Sequence, residues 1–453
     1  MKQVLVIANL YHASPRIPGL LTHLPEWGWQ ATLLTPPLGR NLAEMLGFPA
    51  TFLARTQILE VPYRGDVLWF WRKVLYALGF RSDQSLSEQV KERAGVSGRR
   101  TWLDRALIGY QTIFGYPDTE KLWKGPALKA ALAACAHRRF DAVLSSSPYP
   151  TTHMIAAALK EATGLPWVAD FRDLWTQNHN YPYGRLRKRL DERLERRTLR
   201  GADAMLTVTP DLAERQARFH GRPVTVLTNG FDPEIQNVTP ASLTEKMTIT
   251  YTGRIYADKQ DPEKLLAALH ALITDKQIDP GRVEVRFYGP RQAWLDELIG
   301  QYGLQATAGQ YGTLPRPEAL ARQRESHLLL LLSWEDRAEP GVYTGKVFEY
   351  LAARRPILCT GGHSNTDLER LLHTTQAGFY ARTIEDIQAV LRLGYEQYQQ
   401  GSPMAFQGDL NAIERFSYRN LACSLADVLS GQALETPKGV DVVGVGFDAA
   451  RGR

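Results

Sequence analysis

Short apolar runs recur along the chain, at residues 4–8, 31–34, 142–145, 167–170, 204–208 and 224–227. They are too uniformly apolar for strands with one wet face, so they predict strands covered on both sides. Between them, apolar residues fall at helical spacing, for example over 152–162 and 186–199. Buried strands alternating with helices predict a parallel, doubly wound sheet. The alternation stops in a polar, proline-containing stretch at 233–245 and then restarts. Strands follow at 247–251, 283–288, 328–332 and 356–358, with helices at 262–273, 293–302 and 346–353. The pattern predicts an α/β protein of two Rossmann-like units, 1–235 and 240–411. A helix over 412–431 comes next, expected to pack back on the first unit. The glycine-rich tail, 436–453, is expected to be disordered.

One segment breaks the pattern. Residues 55–124 are rich in aromatics and arginines, including Trp69-Phe70-Trp71-Arg72-Lys73. An apolar face beside cations suits the surface of an anionic membrane, and an insertion helix packed on the first unit accounts for it equally well.

Composition changes this picture little. The chain has 453 residues, 44% hydrophobic and 23% charged, with a formal charge of +6. That balance favours anionic partners and gives no indication of nucleic acid. Cys135, Cys359 and Cys423 lie far apart, without metal spacing, as expected of thiols in a reducing compartment. The apolar run at 4–8 is too short for a signal-peptide core, and no run approaches the ~20 residues of a membrane span. A cytoplasmic protein is expected, peripheral on the inner face of the membrane if residues 55–124 touch it.

The chemistry concentrates at predicted strand ends. Tyr343-Thr344-Gly345-Lys346-Val347-Phe348-Glu349 runs from a small, flexible turn into a helix. Backbone N–H groups at a helix start favour an anion, and Glu349 one turn later is placed to accept from a ribose. A diphosphate site beside a ribose site points to a nucleotide; an ordinary loop with a solvated lysine and glutamate is the alternative. Thr252-Gly253-Arg254 ends a strand, with Lys259 five residues on, and could clamp a diphosphate through a guanidinium fork and a point charge. Gly289-Pro290 marks another turn at that edge. In the first unit, Asp170-Phe171-Arg172-Asp173 leaves a strand with two acids that could orient a sugar hydroxyl or act as a base, or form a structural Asp–Arg pair. Ser145-Ser146-Ser147 and His153 border the neighbouring strand end, and Ser14-Pro15-Arg16 follows the first strand. No G-x-G-x-x-G follows a strand, which disfavours a dinucleotide redox enzyme.

Taken together, residues 4 to 429 resemble the retaining glycosyltransferases of family four. The resemblance rests on Thr252-Gly253-Arg254 with Lys259, on Thr228-Asn229-Gly230-Phe231-Asp232, and on Lys346-Val347-Phe348-Glu349-Tyr350-Leu351-Ala352. Phe114-Gly115-Tyr116-Pro117-Asp118 followed by Trp123 is similar to a segment of the envelope-polysaccharide members. The family's acidic pair has seven residues between its glutamates, which would put the first at Gly341; Glu335 and Glu339 are out of register. The resemblance implies a GT-B fold, with an N-terminal acceptor domain and a C-terminal nucleotide-sugar domain facing a cleft. It implies metal-independent sugar transfer from a nucleotide-diphosphate sugar to a glycan or lipid-linked glycan, with no cofactor. Arg254 and Lys259 would stabilise the leaving group, with Asp170, Asp173 and His153 lining the acceptor side. Gly253, Gly289, Thr344, Gly345, Lys346 and Glu349 would hold the donor. A sugar-nucleotide epimerase and a catalytically silent glycan-binding protein share that fold and stay open as alternatives.

Overall fold

A computed structural model of the chain describes residues 1–13, 15–39, 48, 50–63, 109, 114–178, 181–235, 241–257, 259–337, 339–342 and 344–432. Most of the aromatic, basic segment and the C-terminal tail therefore lie outside the described residues. The chain divides into two compact units, neither of them contiguous in sequence. The first comprises Met1–Val208, Leu212–Leu227 and Ala422–Gly431; the second includes Thr209–Asp211 and Thr228–Leu421.

The first unit is built on seven strands, β1 (Lys2–Ile7), β2 (Trp29–Thr35), β3 (Gln57–Glu60), β4 (Ala142–Ser146), β5 (Trp167–Phe171), β6 (Ala204–Thr207) and β7 (Thr225–Val226). All pair in parallel in the order β3-β2-β1-β4-β5-β6-β7. The helices between them are α1 (Leu10–Ala13), α2 (Arg16–His23), α3 (Ala50–Arg55), α4 (Lys124–His137), α5 (Pro150–Thr163), α6 (Arg185–Leu199) and α7 (Pro210–His220). The middle strands are buried on both faces, as their continuous apolar sequence requires: Leu5, Val143 and Ala169 pack with Ile155, Leu159 and Trp167 in one core.

The second unit repeats the plan with β8 (Met247–Thr252), β9 (Val283–Tyr288), β10 (Ala308–Gly312), β11 (Leu328–Leu332), β12 (Ile357–Thr360) and β13 (Gly378–Ala381). Their order is β10-β9-β8-β11-β12-β13, again all parallel. Its helices are α8 (Glu263–Thr274), α9 (Ala293–Gln301), α10 (Arg316–Arg324), α11 (Lys346–Ala353), α12 (Asp367–Thr375), α13 (Ile384–Gln399) and α14 (Leu410–Glu414), and α15 (Tyr418–Leu429) ends the described chain. One layer packs Ile249, Val285 and Leu328 under Leu266 and Leu269 of α8. The other packs Leu329 and Ile357 against Phe348 and Leu351 of α11.

In both sheets the strand order reverses direction once, between β1 and β4 and between β8 and β11. Ligands of open parallel sheets bind outside the carboxyl ends of the strands at such a reversal. The fold thus singles out the turns after β1, β4, β8 and β11.

The single helix expected over 412–431 is two. It breaks at 415–417, where Phe231 N donates to Phe416 O at 3.1 Å and Tyr418 N donates to Phe231 O at 2.8 Å. Backbone groups paired with Phe231 are lost to a continuous helical ladder. The close approach needs Gly230, since a Cβ there would lie 2.3 Å from Phe416 O.

Candidate functional site

The turn after β8 carries the densest arrangement of candidate groups. Gly253 sits at φ +105°, in the left-handed region where a side chain is strained. A Cβ on Gly289, at the end of β9, would stand 2.2 Å from Gly253 O, so two strand ends meet backbone to backbone. A Cβ on Gly253 would stand 2.5 Å from Lys346 Cε. Both glycines therefore let Lys346, the first residue of α11, lie across the turn. Its Nζ is 5.2 Å from the centroid of the Tyr251 ring and 3.5 Å from Arg254 O. Burial pushes the ammonium down to about 8, with Glu349 acting the other way. A cation that its own surroundings under-solvate is a favourable seat for an added anion.

Arg254 is exposed beside this turn. A shallow pocket opens next to it, lined by Gly253, Ile255, Tyr288, Gly289, Gln292 and Gln310 among others. Thr344 and Gly345 precede Lys346, and Thr344 Oγ1 is buried with no hydrogen-bond partner among the described residues. In the first turn of α11, Val347 N donates to Thr344 O and Phe348 N to Gly345 O, each at 3.3 Å.

Lys259 and Glu349 are both engaged. Lys259 Nζ lies 3.0 Å from Asp336 Oδ2 and 5.6 Å from the Trp334 ring centroid. Glu349 meets Arg316 of α10 at 3.2 Å, and Gln323 bridges from Glu349 Oε2 at 3.4 Å to Thr252 Oγ1 at 2.9 Å. The glutamate is thus tied to α10, and Lys346, the partner offered by an ordinary surface pair, is not its hydrogen-bonded neighbour. Gly341, where a first glutamate would fall, has no room for one: a Cβ there would lie 2.5 Å from Asp211 Cβ. Glu335 pairs with Lys264 at 3.3 Å and accepts from Gly362 N at 3.0 Å.

The candidates of the first unit gather at the ends of β4 and β5, largely buried. Asp170 forms a two-point ion pair with Arg16 of α2, at 2.9 and 3.2 Å, and accepts from Ser146 Oγ at 2.7 Å. Its cationic partner is therefore Arg16, which sequence proximity did not pick; Arg172 was the obvious neighbour. His153 was expected to line the acceptor side. It is 1% exposed, with Nδ1 2.8 Å from Ser145 Oγ and its ring 4.6 Å from that of Phe171. Burial holds the imidazole down at about 4, against the pull of Asp170, so it is neutral at physiological pH. Asp173 is half-buried, its N–H donating to Ser147 Oγ at 3.1 Å.

The start of α5 follows the turn after β4. It is filled from within: Asp118 accepts from Thr151 N at 2.6 Å and Thr151 Oγ1 at 2.9 Å. Burial raises that carboxyl to about 6, the bonds from Thr151 and Glu120 opposing it. Among the described residues no group of three or more His, Cys, Asp or Glu side chains is placed to hold a metal ion, and no helix is long and apolar enough to cross a membrane.

Residues 13–230 match the family model described as a glycosyl transferase 4-like domain. No curated protein matches the chain. Among solved structures, HepE from Anabaena in complex with UDP and glucose aligns with a TM-score of 0.59 at 13% identity, covering 95% of this chain and 100% of that one. Sucrose-phosphate synthase from Thermosynechococcus elongatus aligns at 0.56 and 10% identity, covering 95% and 99%. A putative UDP-N-acetylglucosamine 2-epimerase from Listeria monocytogenes aligns at 0.51 and 11%, covering 96% and 100%. At such identities the likeness is one of fold: the chain has the two doubly wound sheets of the GT-B proteins.

Proposed function

We propose that this protein is a retaining, metal-independent glycosyltransferase that moves a sugar from a nucleotide-diphosphate sugar to a glycan or lipid-linked glycan. The observation that carries the reading is the turn at Gly253, held against Gly289 and crossed by the poorly solvated Lys346, with Arg254 exposed beside it. The glycosyltransferase 4-like match favours transfer over epimerisation. The uridine nucleotides in the titles of the HepE structures make UDP-sugars the first donors to try.

In the reaction, the bond from the sugar's anomeric carbon to the diphosphate breaks, a bond to an acceptor hydroxyl oxygen forms on the same face, and the hydroxyl proton passes to the departing diphosphate. Negative charge collects on the departing diphosphate. Arg254, Lys346 and the amides of Gly345 and Lys346 take that charge, with Lys259 released from Asp336 to join them. Preorganised partners of developing charge are where such catalysis gains most. Glu349 holds the ribose by exchanging its bonds to Arg316 and Gln323 for bonds to sugar hydroxyls. Asp173 orients the acceptor, and Asp170 acts at one remove by fixing Arg16 and the β4 turn.

Melting curves against UDP-, GDP-, ADP- and CMP-sugars identify the donor, because a ligand of the native state raises the melting point. With that donor, Arg254→Ala is expected to lower turnover about a hundredfold or more. A folded Arg254→Ala protein with near-normal turnover would remove the arginine from the leaving-group site. Isomerised donor released in the absence of any acceptor would favour the epimerase.

A further inference from the structure

Helix α6 has an unusual division of labour between its faces. Its inward residues, Arg187, Asp191, Glu195 and Leu199, are mostly charged and nevertheless buried. They are paired locally: Arg187 pairs with Asp191 Oδ2 at 2.8 Å and donates to Pro117 O at 2.9 Å, while Glu195 accepts from Thr176 N at 3.1 Å and meets His220 at 3.3 Å. The helix is therefore held in place without a greasy stripe, and its outward face is left over.

That face is one-sided. Arg185, Arg189, Arg193, Arg196, Arg197 and Arg200 are all exposed, and with Leu186 and Leu190 they cover about 140° of the helix circumference at 3.6 residues per turn. Asp191 and Glu195 are on the far side, and Glu192 is half-buried at the edge. Leu186 is 76% exposed and Leu190 45% exposed, set between the arginines. Polyanions such as nucleic acids would use the arginines and gain nothing from the leucines. An anionic bilayer uses both, the cations at the phosphates and the apolar side chains at the acyl boundary.

We propose that this face of α6 rests on an anionic lipid surface, with Leu186 and Leu190 entering the headgroup layer. The inference stands on the helix alone and is independent of the sugar-transfer reading. It concerns a described element of the first unit, whereas most of residues 55–124, where sequence suggested membrane contact, lie outside the described residues.

The test sediments the full chain with vesicles of phosphatidylcholine, with and without phosphatidylglycerol, at rising salt. Two variants accompany it, R189Q/R193Q/R197Q and L186S/L190S; every position is exposed, so their melting temperatures should match that of the wild type. Wild type is expected to bind only the phosphatidylglycerol vesicles, and less as salt rises. The arginine variant should lose about tenfold or more in partitioning, and the leucine variant several-fold at unchanged charge. No binding of wild type to anionic vesicles overturns the proposal, as does undiminished binding by the arginine variant. An arginine effect without a leucine effect overturns it too, in favour of a soluble polyanion.

Discussion

Lys346 is the side chain whose surroundings constrain the proposed reaction most tightly. An ordinary lysine keeps its proton well above pH 9, whereas this one gives it up near 8. A diphosphate bound beside it favours the charged form and raises its pKa again. Donor affinity should therefore be level at neutral pH and fall as pH rises through about 8, by at most about tenfold per pH unit. Calorimetry with the identified nucleotide should show that fall in wild type and a weaker, flat profile in Lys346→Met. Folding is affected with the opposite sense. Because the folded pKa lies below the unfolded one, stability is lost as pH falls from the ordinary lysine value of 10.5 towards 8, and the loss then levels off. Lys346→Met is accordingly expected to melt higher than wild type at pH 7, and a lower melting point would mean that the lysine is fully compensated. Glu349→Gln keeps shape but loses charge. With charge-assisted bonds worth about 1.5–3 kcal/mol, nucleotide affinity should drop roughly tenfold to a hundredfold. Equal affinities would leave Glu349 with only its structural tie to Arg316. Such ties were illegible in the sequence. The glycine turns and Lys346 stand out because turn chemistry is local, but Asp170 and Arg16 are 154 positions apart, and Glu349 and Arg316 are 33 apart. Nothing in either neighbourhood names the partner.

At the scale of elements, hydrophobic periodicity located the central strands of both sheets to within a few residues. The strands it missed, β3, β10 and β13, all lie at sheet edges. Their apolar runs are short, at most the three of Phe379-Tyr380-Ala381, and Gln57-Ile58-Leu59-Glu60 has polar ends and only partial burial. An edge strand has one neighbour and needs less apolar surface, so the signal weakens where the sheet ends. The helix α6 was legible for the opposite reason, long spacing and strong helix formers, although its buried face is ionic. The contact between the β8 and β9 turns gives a sharp test. Gly289→Ala places a methyl 2.2 Å from Gly253 O, and one strand end must shift. Overpacking of that kind costs about 1–3 kcal/mol. Denaturant unfolding should register the loss, and donor binding should weaken along with it, because the same shift moves the turn beneath Lys346. Unchanged stability would mean that the two turns are not held as tightly as their backbones suggest.

For the molecule as a whole, the proposed chemistry relies on fixed cations and helix amides, and turnover should survive excess EDTA. Activity lost on chelation and restored by magnesium or manganese would replace that account of the leaving group. The two-unit plan was legible because the alternation of strand and helix restarts after residue 245. The C-terminal helix was expected to return to the first unit, but the points at which the chain changes unit, within α7 and within α15, were not legible, since they depend on packing that no local pattern records. Ala422, Leu425 and Ala426 of α15 are buried, and the stretch from Ala422 to Gly431 belongs to the first unit although the second unit separates them in sequence. Lys2 reaches the same stretch, its Nζ 3.2 Å from Ser430 Oγ. The first unit is thus a discontinuous domain, finished only when the last described helix has been synthesised. A fragment ending near residue 235 should be less stable and more prone to aggregate than the same fragment joined through a flexible linker to residues 418–432. Side-by-side thermal melts of the two fragments would read that difference. If it holds, a nascent chain would expose an uncovered apolar face throughout the synthesis of the second unit, a window in which chaperone binding would be strongest.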